Sequence, residues 1–232
     1  MNAALHSARS AKSSTESGAR PTPRVALLED DALIQNSLTS HLDSHGYEVQ
    51  CFDTAGAFLE HRSESTPFCC VVVDLHLRGS SGWEVISGFR SRSPYSSLIV
   101  VSAHLDVRSV VRAMQAGALA VLEKPVSLDE FLVAVRTGCE SAARSRTIDS
   151  LRTDARDRLA RLSAREREVF DRVVAGLPSK NIAVELGISI RTVETFRSRV
   201  LAKTGVRSTA DLVRLDLLDR GGDPGLTSLE LH

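Results

Sequence analysis

The stretch Cys69–Gly82, CysCysValValValAspLeuHisLeuArgGlySerSerGly, decides the fold. Its Cys70–Val73 run is short, apolar and rich in β-branched residues, the composition of a strand buried on both faces of a parallel sheet. Asp74 stands at the end of that strand, and Gly79, Ser80, Ser81 and Gly82 make a loop. In open α/β sheets, sites lie at the carboxyl ends of the strands. Asp74 therefore sits where an acid can do chemistry rather than where it must be buried without a partner. Taken alone, the stretch is explained equally well by an Asp that merely ends a strand. Other strand ends separate the two readings.

Strands and helices alternate from Arg24 onward. Val25–Leu28 is an apolar strand ending in Glu29, Asp30 and Asp31, and Ile34, Leu38 and Leu42 then recur at helical spacing. Val49–Phe52 alternates more, as an edge strand would, and a helix follows around Ala55–His61. After the central strand, one helix is expected to carry Val85, Ile86 and Phe89. Leu98–Val101 is the fourth strand, ending at Ser102. Val107, Val110, Val111 and Met114 form a helical stripe that Gly117 stops. Leu119–Leu122 is the fifth strand, ending at Glu123, Lys124 and Pro125. Ser127-Leu-Asp-Glu130 is a capping-box pattern opening a helix with Leu128, Phe131, Leu132 and Val135 on its apolar face. Five βα units with short connections predict a doubly wound, five-stranded parallel sheet of flavodoxin-like type.

In this arrangement Glu29, Asp30, Asp74, Ser102 and Lys124 all fall at the carboxyl edge of the sheet. Each alone is a solvated acid, a cap or a surface Lys; five of these types at one edge are not. Converging carboxylates repel one another unless a hard cation sits among them, and Mg²⁺ is held by a few carboxylates together with phosphate oxygens. An Asp can accept a phosphoryl group as an acyl phosphate. The cation, the Lys124 ammonium and the Ser102 hydroxyl would then neutralise and orient the phosphoryl oxygens.

The order acid pair, AspLeuHisLeu…Gly, Ser, LysPro resembles the receiver domain of two-component response regulators over about residues 24–140. That resemblance implies that Asp74 accepts the phosphoryl group from a sensor histidine kinase. It implies that Asp30 ligates Mg²⁺ directly, that Glu29 acts mainly through water, and that the backbone carbonyl of His76 joins Asp74 as a ligand. It also implies a cis Lys124–Pro125 bond, a form found almost only before proline. Three positions depart from the family pattern: Glu29 where many receivers have Asp, Arg78 where a Pro is usual, and Val121 where an aromatic often switches rotamer. With no aromatic there, the signal is expected to travel through Ser102 and the helix near Val107–Met114.

Length and charge set the domain organisation. At 232 residues the chain has room for one large domain or two small ones. Its formal net charge is zero, but residues 24–140 carry 9 Lys and Arg against 15 Asp and Glu, while residues 158–220 carry 13 against 8. A basic half joined to an acidic one points to nucleic acid or another anion as partner. Cys51, Cys69, Cys70 and Cys139 lack metal spacing and read as small core residues in a reducing compartment. No apolar run approaches the ~20 residues of a membrane span. Residues 1–23 are rich in Ser and Ala, with Arg9 and Arg20 and one acid, Glu16. That is the composition of a transit peptide, but without its amphipathic repeat, so a disordered leader is expected.

Residues 141–158 alternate Arg and Asp with Ser and Ala and read either as a solvated helix extension or as a flexible connector. Ser163-Ala-Arg-Glu166 is a second capping box, opening a helix with Val169, Phe170, Val173 and Val174 on its core side. Gly176 and Pro178 break it. Ile182, Ala183 and Leu186 mark a short second helix closed at Gly187, and Ser189 caps a third running to about Thr204. This is a helix-turn-helix pattern; a last helix starts at Ser208 and bears Leu212 and Val213. In the third helix, Val193, Phe196 and Val200 face the core. Arg191, Glu194, Thr195, Ser198 and Ala202 point the opposite way, with Arg197, Arg199 and Lys203 on the flanks. A central row able to read base edges, flanked by cations for phosphates, is the layout of a recognition helix.

The run LeuSerAlaArgGluArgGluVal…GlyLeuProSerLysAsnIleAla…IleSerIleArgThrValGluThrPhe resembles the effector domain of the LuxR/FixJ class, FixJ type, over about residues 161–221. The resemblance implies that Glu194, Thr195 and Ser198 meet bases while Lys180, Arg191, Arg197 and Lys203 hold the DNA backbone; Arg199, on the flank of the same helix, is read as a further DNA-binding cation. Phe196 replaces the His usual there. The expected division is a leader to residue 23, a receiver over 24–140, a linker over 141–158, a helix-turn-helix domain over 159–221 and a disordered tail from 222.

These readings converge on a cytoplasmic, Mg²⁺-dependent response regulator that dimerises when phosphorylated and binds double-stranded promoter DNA, with RNA polymerase as a further candidate partner. Two alternatives carry different chemistry. One keeps DNA binding but makes the acidic half a phosphorylation-independent interaction module. The other, an Asp-nucleophile phosphatase, calls for a second acid shortly after Asp74 for leaving-group protonation; only His76 titrates there, so the chain is read as a non-enzyme.

Overall fold

A computed structural model describes residues 22–61 and 67–222; the expected disordered leader and tail lie almost wholly outside them. In chain order, β1 (Arg24–Leu28), α1 (Ala32–Ser44), β2 (Glu48–Phe52), α2 (Ala55–Glu60) and β3 (Cys70–Asp74) come first. A small hairpin of β4 (His76–Leu77) and β5 (Ser80–Ser81) follows. Then come α3 (Gly82–Ile86), α4 (Phe89–Arg92), β6 (Ser97–Ser102), α5 (Val107–Gln115), β7 (Ala120–Glu123) and α6 (Leu128–Ala160). The chain continues through α7 (Ala164–Val174), α8 (Ser179–Leu186), α9 (Ile190–Thr204) and α10 (Thr209–Asp219).

The main sheet is five-stranded in the order β2-β1-β3-β6-β7, every pair parallel. All five residues of β3 and all six of β6 are buried, because helices cover both faces, as parallel sheets require. Alternate residues serve opposite cores. Ala26, Leu28, Val71, Val73, Leu98 and Val100 pack with Val85, Ile86, Phe89 and Ala113 from α3, α4 and α5. Val25, Leu27, Val72, Ile99 and Val101 pack with Leu38 and Leu42 of α1 and Phe131 and Val135 of α6.

Gly82 fixes how closely α3 follows β3. A Cβ there would lie 2.2 Å from the Asp74 carbonyl oxygen and 2.8 Å from Val73 Cγ1, so no other residue fits without moving backbone. The expected single helix after β3 is instead two short pieces, α3 and α4, because Gly88 takes a left-handed conformation with φ 93°, which glycine adopts without steric cost. The expected open loop at Gly79–Gly82 contains β5 and the Ser81 cap of α3, whose capping box with Glu84 is complete. The stripe on α5 is present but faces outward: Val107 is 79% exposed, with Val111 and Met114 about half exposed. Ala113 is the buried residue of that helix.

The cysteine reading needs correction. Cys70 is a core thiol, and burial pushes it up to about 12. Cys51, however, is exposed, and Cys69 is disulfide-bonded to Cys139 across 70 residues. Neither motif nor spacing in the sequence announces that pair. It forms because Gly138 lets α6 lie against the start of β3, where a Cβ would meet Cys70 Sγ at 3.2 Å and Ser97 Cβ at 3.1 Å.

Residues 141–158 lie inside α6, a single helix of 33 residues, so of the two readings of this segment the helix extension holds. Ser127 caps it, accepting from Glu130 N at 3.1 Å. The first half of α6 packs on the sheet through Phe131, Val135 and Ala142, whereas Ala155 and Leu159 join Val169, Phe170, Ile182, Val193, Val200 and Leu212 in a third core. The Ser163–Glu166 capping box closes in both directions, Gly187 ends α8 with a left-handed turn, and Ser189 caps α9 through Thr192 N. In α10 the core residues are Leu212 and Leu215, with Val213 only half-buried.

Candidate functional site

The strand registers bring the polar ends together. Asp74 pairs with Val101 and Ser102 with Glu123, so Asp74, Ser102 and Lys124 stand at one edge, beside the turn after β1. Asp74 and Glu29 are nearly inaccessible, at 5% and 2%, and Ser102 is fully buried. The Lys124–Pro125 peptide is cis, and Lys124 points its ammonium between two acids. Nζ donates to Asp74 Oδ2 at 2.7 Å and to Glu29 Oε2 at 2.6 Å. Burial alone would push the Lys124 ammonium down, but these two hydrogen bonds and charges outweigh it and hold its pKa above the ordinary lysine value.

The remaining carboxylate oxygens are aimed by backbone donors. Asp74 Oδ1 accepts from His76 N at 2.9 Å, and Glu29 Oε1 accepts from Asp31 N at 3.2 Å. Asp30 Oδ2 accepts from Arg78 N at 3.2 Å and pairs with Arg78 Nε at 3.0 Å. Arg78, which departs from the family pattern, therefore supplies a charge that steadies Asp30. Asp31, the third acid in the run, is committed elsewhere: it caps α1 through Leu33 N and Ile34 N.

Glu29, Asp30 and Asp74 offer oxygens that all lie within 4.8 Å of one another. Three formal negative charges against the Lys124 ammonium and the exposed Arg78 guanidinium leave one in excess, and only oxygen donors converge there, which suits a small hard cation. Two of the three carboxylates are buried, and burying such charges without compensation is costly. The donor set thus fits Mg²⁺.

Sequence reasoning placed only the backbone carbonyl of His76 in the pocket. In the structure its ring also matters: Nδ1 lies 3.1 Å from Ser102 Oγ, beside the His104 ring at 6.4 Å. The alternation of β4 exposes His76 and buries Leu77, a signal visible only once β4 is known to be a strand. Val121 is half-buried against the α3–α5 core.

On α9, Val193 and Val200 are buried, Phe196 is half-buried, and Arg191, Glu194, Thr195, Ser198, Arg199 and Ala202 are exposed. The central row is held in place locally. Thr195 Oγ1 donates to Arg191 O at 2.9 Å and Ser198 Oγ to Glu194 O at 3.0 Å. Glu194 accepts from the Ser179 hydroxyl, and Arg197 reaches Ser179 Oγ at 3.0 Å and Thr209 Oγ1 at 3.4 Å. Ser179, at the start of α8, thus ties the two helices of the motif together; no periodicity marks it. Lys180 is exposed. Lys203 is engaged: its Nζ lies 2.6 Å from Glu166 Oε2. That hydrogen bond, joined by the Ser163 backbone N–H, pulls the Glu166 carboxyl down to about 2.

Comparison with known proteins matches two families along the chain. Residues 25–136 match the response regulator receiver domain family, and residues 160–215 match the bacterial regulatory proteins of the luxR family. The transcriptional regulatory protein FixJ of Bradyrhizobium diazoefficiens is 35% identical over 82% of this chain and 93% of its own. TdiR of Thauera aromatica is 35% identical over 82% and 83%. Among solved structures, the response regulator StyR superposes with a TM-score of 0.73 at 35% identity, covering 84% of this chain and 98% of its own. Full-length FixJ from B. japonicum gives 0.53 at 33% identity over 87% and 98%. With a receiver fold, an acidic pocket bridged by Lys124 and a LuxR-type helix-turn-helix, the chain belongs to the FixJ-like two-component response regulators.

Proposed function

We propose that Asp74 takes a phosphoryl group from the phosphohistidine of a sensor kinase, and that the modified chain dimerises on promoter DNA in the cytoplasm. A carboxylate oxygen of Asp74 bonds to phosphorus as the P–N bond to the donor imidazole breaks, and the departing nitrogen takes up a proton. The observation that carries this reading is the half-buried Lys124 ammonium, within 2.7 Å of Asp74 and already held by Glu29: it stabilises negative charge where the phosphoryl oxygens arrive. Ser102 would turn its hydroxyl from the His104 carbonyl to one of those oxygens. Glu29, Asp30, Asp74 and the His76 carbonyl would hold Mg²⁺, which supplies further charge neutralisation. Phosphorylation then acts by favouring one of two receiver states, since a modification that suits both equally shifts nothing.

On DNA, Glu194, Thr195 and Ser198 face the base edges in the major groove. Lys180, Arg191, Arg197, Arg199 and Lys203 line the phosphates, and a dimer places two such helices about one helical turn apart. RNA polymerase is a further partner consistent with transcriptional control. Incubation with acetyl phosphate and Mg²⁺, read by intact mass, tests the first half: one phosphoryl group is expected on the wild type, none on Asp74→Asn and none in chelator. Uptake on Asp74→Asn equal to wild type would make the acidic half an interaction module. Genome-wide footprinting with and without phosphodonor tests the second half, and occupancy indifferent to the donor would refute it.

A further inference from the structure

The Cys69–Cys139 pair belongs to neither the acidic pocket nor the recognition helix. A DNA-binding regulator works beside the chromosome, where thiols are kept reduced, and disulfides in such compartments are mostly transient and redox-sensing. We propose that Cys69 and Cys139 form a reversible thiol–disulfide site, oxidised by low-molecular-weight disulfides of the glutathione type, that sets how freely α6 moves on the receiver.

Both redox states are accommodated. The two Cα atoms are 4.8 Å apart, within the span a disulfide bridges. Cys69 Sγ also lies 3.1 Å from the Arg24 carbonyl oxygen, a hydrogen bond that only the thiol can donate. Access is graded: Cys69 is 7% exposed and Cys139 is half-buried. Cys139, as thiolate, therefore attacks the small disulfide, forming a mixed disulfide and expelling one thiol. Cys69 then attacks Cys139 Sγ, and its proton leaves with the second small thiol. Two protein S–H bonds and one S–S bond are broken, and one protein S–S bond and two small thiols result. The protein is oxidised by two electrons that the small disulfide takes up.

The position gives this chemistry a consequence. Cys69 directly precedes β3, which ends at Asp74. Cys139 lies on α6, whose later residues Ala155 and Leu159 are part of the effector core. Nearby contacts between α6 and this end of the sheet are hydrogen bonds that can reform: Ser97 Oγ to Gly138 O at 2.8 Å and Arg146 Nη2 to Phe68 O at 2.9 Å. The disulfide alone cannot slide. From Cys139 to Ala155 the helix rises about 24 Å, so a tilt of about 10° at the cysteines moves the effector end by about 4 Å. Oxidation removes that freedom, and the oxidised chain responds weakly to modification of Asp74.

The test uses full-length protein carrying Cys51→Ser, which removes the exposed thiol, after incubation at graded ratios of oxidised to reduced glutathione. Peptide mapping is expected to find residues 69 and 139 cross-linked at oxidising ratios and free at reducing ones. Amide hydrogen exchange over residues 139–158 is then measured with and without acetyl phosphate and Mg²⁺. The donor-induced change is expected to be at least about fivefold smaller in the oxidised chain, and full at every ratio in Cys139→Ser and, separately, in Cys69→Ser. Absence of the cross-link at all ratios, or equal donor responses in both redox states, overturns the proposal. The response arm rests on phosphorylation of Asp74, and intact mass of the same samples keeps the two apart. A chain that cross-links but takes up no phosphoryl group in either state counts against the function proposed above, and exchange over 139–158 without donor then decides the switch: equal exchange in both redox states overturns it.

Discussion

Replacing Lys203 by Met separates a structural from a DNA-binding role for the same ammonium. Glu166 is 3% exposed and Lys203 Nζ sits 2.6 Å from its Oε2. Removing one partner of a fully buried pair costs about 3–5 kcal/mol, and an exposed pair is worth about 0–1 kcal/mol. The Lys203 side chain is 42% exposed, so solvent screens part of the attraction, and Glu166 keeps its hydrogen bond from Ser163 N at 2.8 Å. A loss of about 2 kcal/mol is expected, or about 10 °C in the melting of a domain this size. The pH dependence fixes the cause. In the folded chain the Glu166 carboxyl is pulled from 4.5 to about 2. The stability it contributes is therefore complete above pH 4.5 and is lost as pH falls through about 2. The gap between wild type and Lys203→Met should be constant from about pH 5 to 8 and close as pH falls below that. The assay is thermal unfolding of the full chain across pH, with effector residues followed by hydrogen exchange, because two domains do not guarantee a single transition. Glu166→Gln in the Lys203→Met background should recover part of the loss. A variant that melts like wild type at neutral pH yet binds DNA weakly would refute the reasoning and leave Lys203 as a phosphate contact alone.

Gly82→Ala forces a Cβ to 2.2 Å from the Asp74 carbonyl oxygen. It should cost about 3 kcal/mol in chemical denaturation and slow phosphoryl uptake from acetyl phosphate. Ser198→Ala and Thr195→Ala are expected to relax base preference in a binding-site selection by about 1–3 kcal/mol. Lys180→Ala should instead weaken binding on every sequence and lower the salt slope by roughly one; equal losses on cognate and random DNA for all three would contradict the division of roles. Ser179→Ala, which leaves Arg197 and Glu194 without their shared hydroxyl, should lower effector stability by about 1 kcal/mol, measured by urea denaturation.

The sheet was legible because four of its five strands are apolar runs ending at a polar residue, and the central β3 and β6 are buried on both faces. The pocket acids and Lys124 were legible for the same reason, since strand ends map to one edge. What periodicity does not say is what covers a face: the Val107–Met114 stripe was visible, but its exposure was not. Local breaks depend on single conformations, and nothing short of the backbone reveals that Gly88 splits α3 from α4. Partners distant in sequence are the hardest. Cys69 finds Cys139 across 70 residues and Lys203 finds Glu166 across 37, each through packing that no spacing encodes. The contact of the His76 ring with Ser102 was missed because only the carbonyl of His76 was given a place in the pocket.

The unbroken course of α6 imposes an angular rule on the molecule. Every residue added between the last receiver contact and Ala155 turns the effector by about 100° and moves it about 1.5 Å outward. An insertion of two residues would swing the DNA-reading face to nearly the opposite azimuth, whereas one of seven nearly restores it. Chimaeras that join this receiver to another effector will therefore keep their coupling only when the joint preserves helical phase, whatever the match of their surfaces.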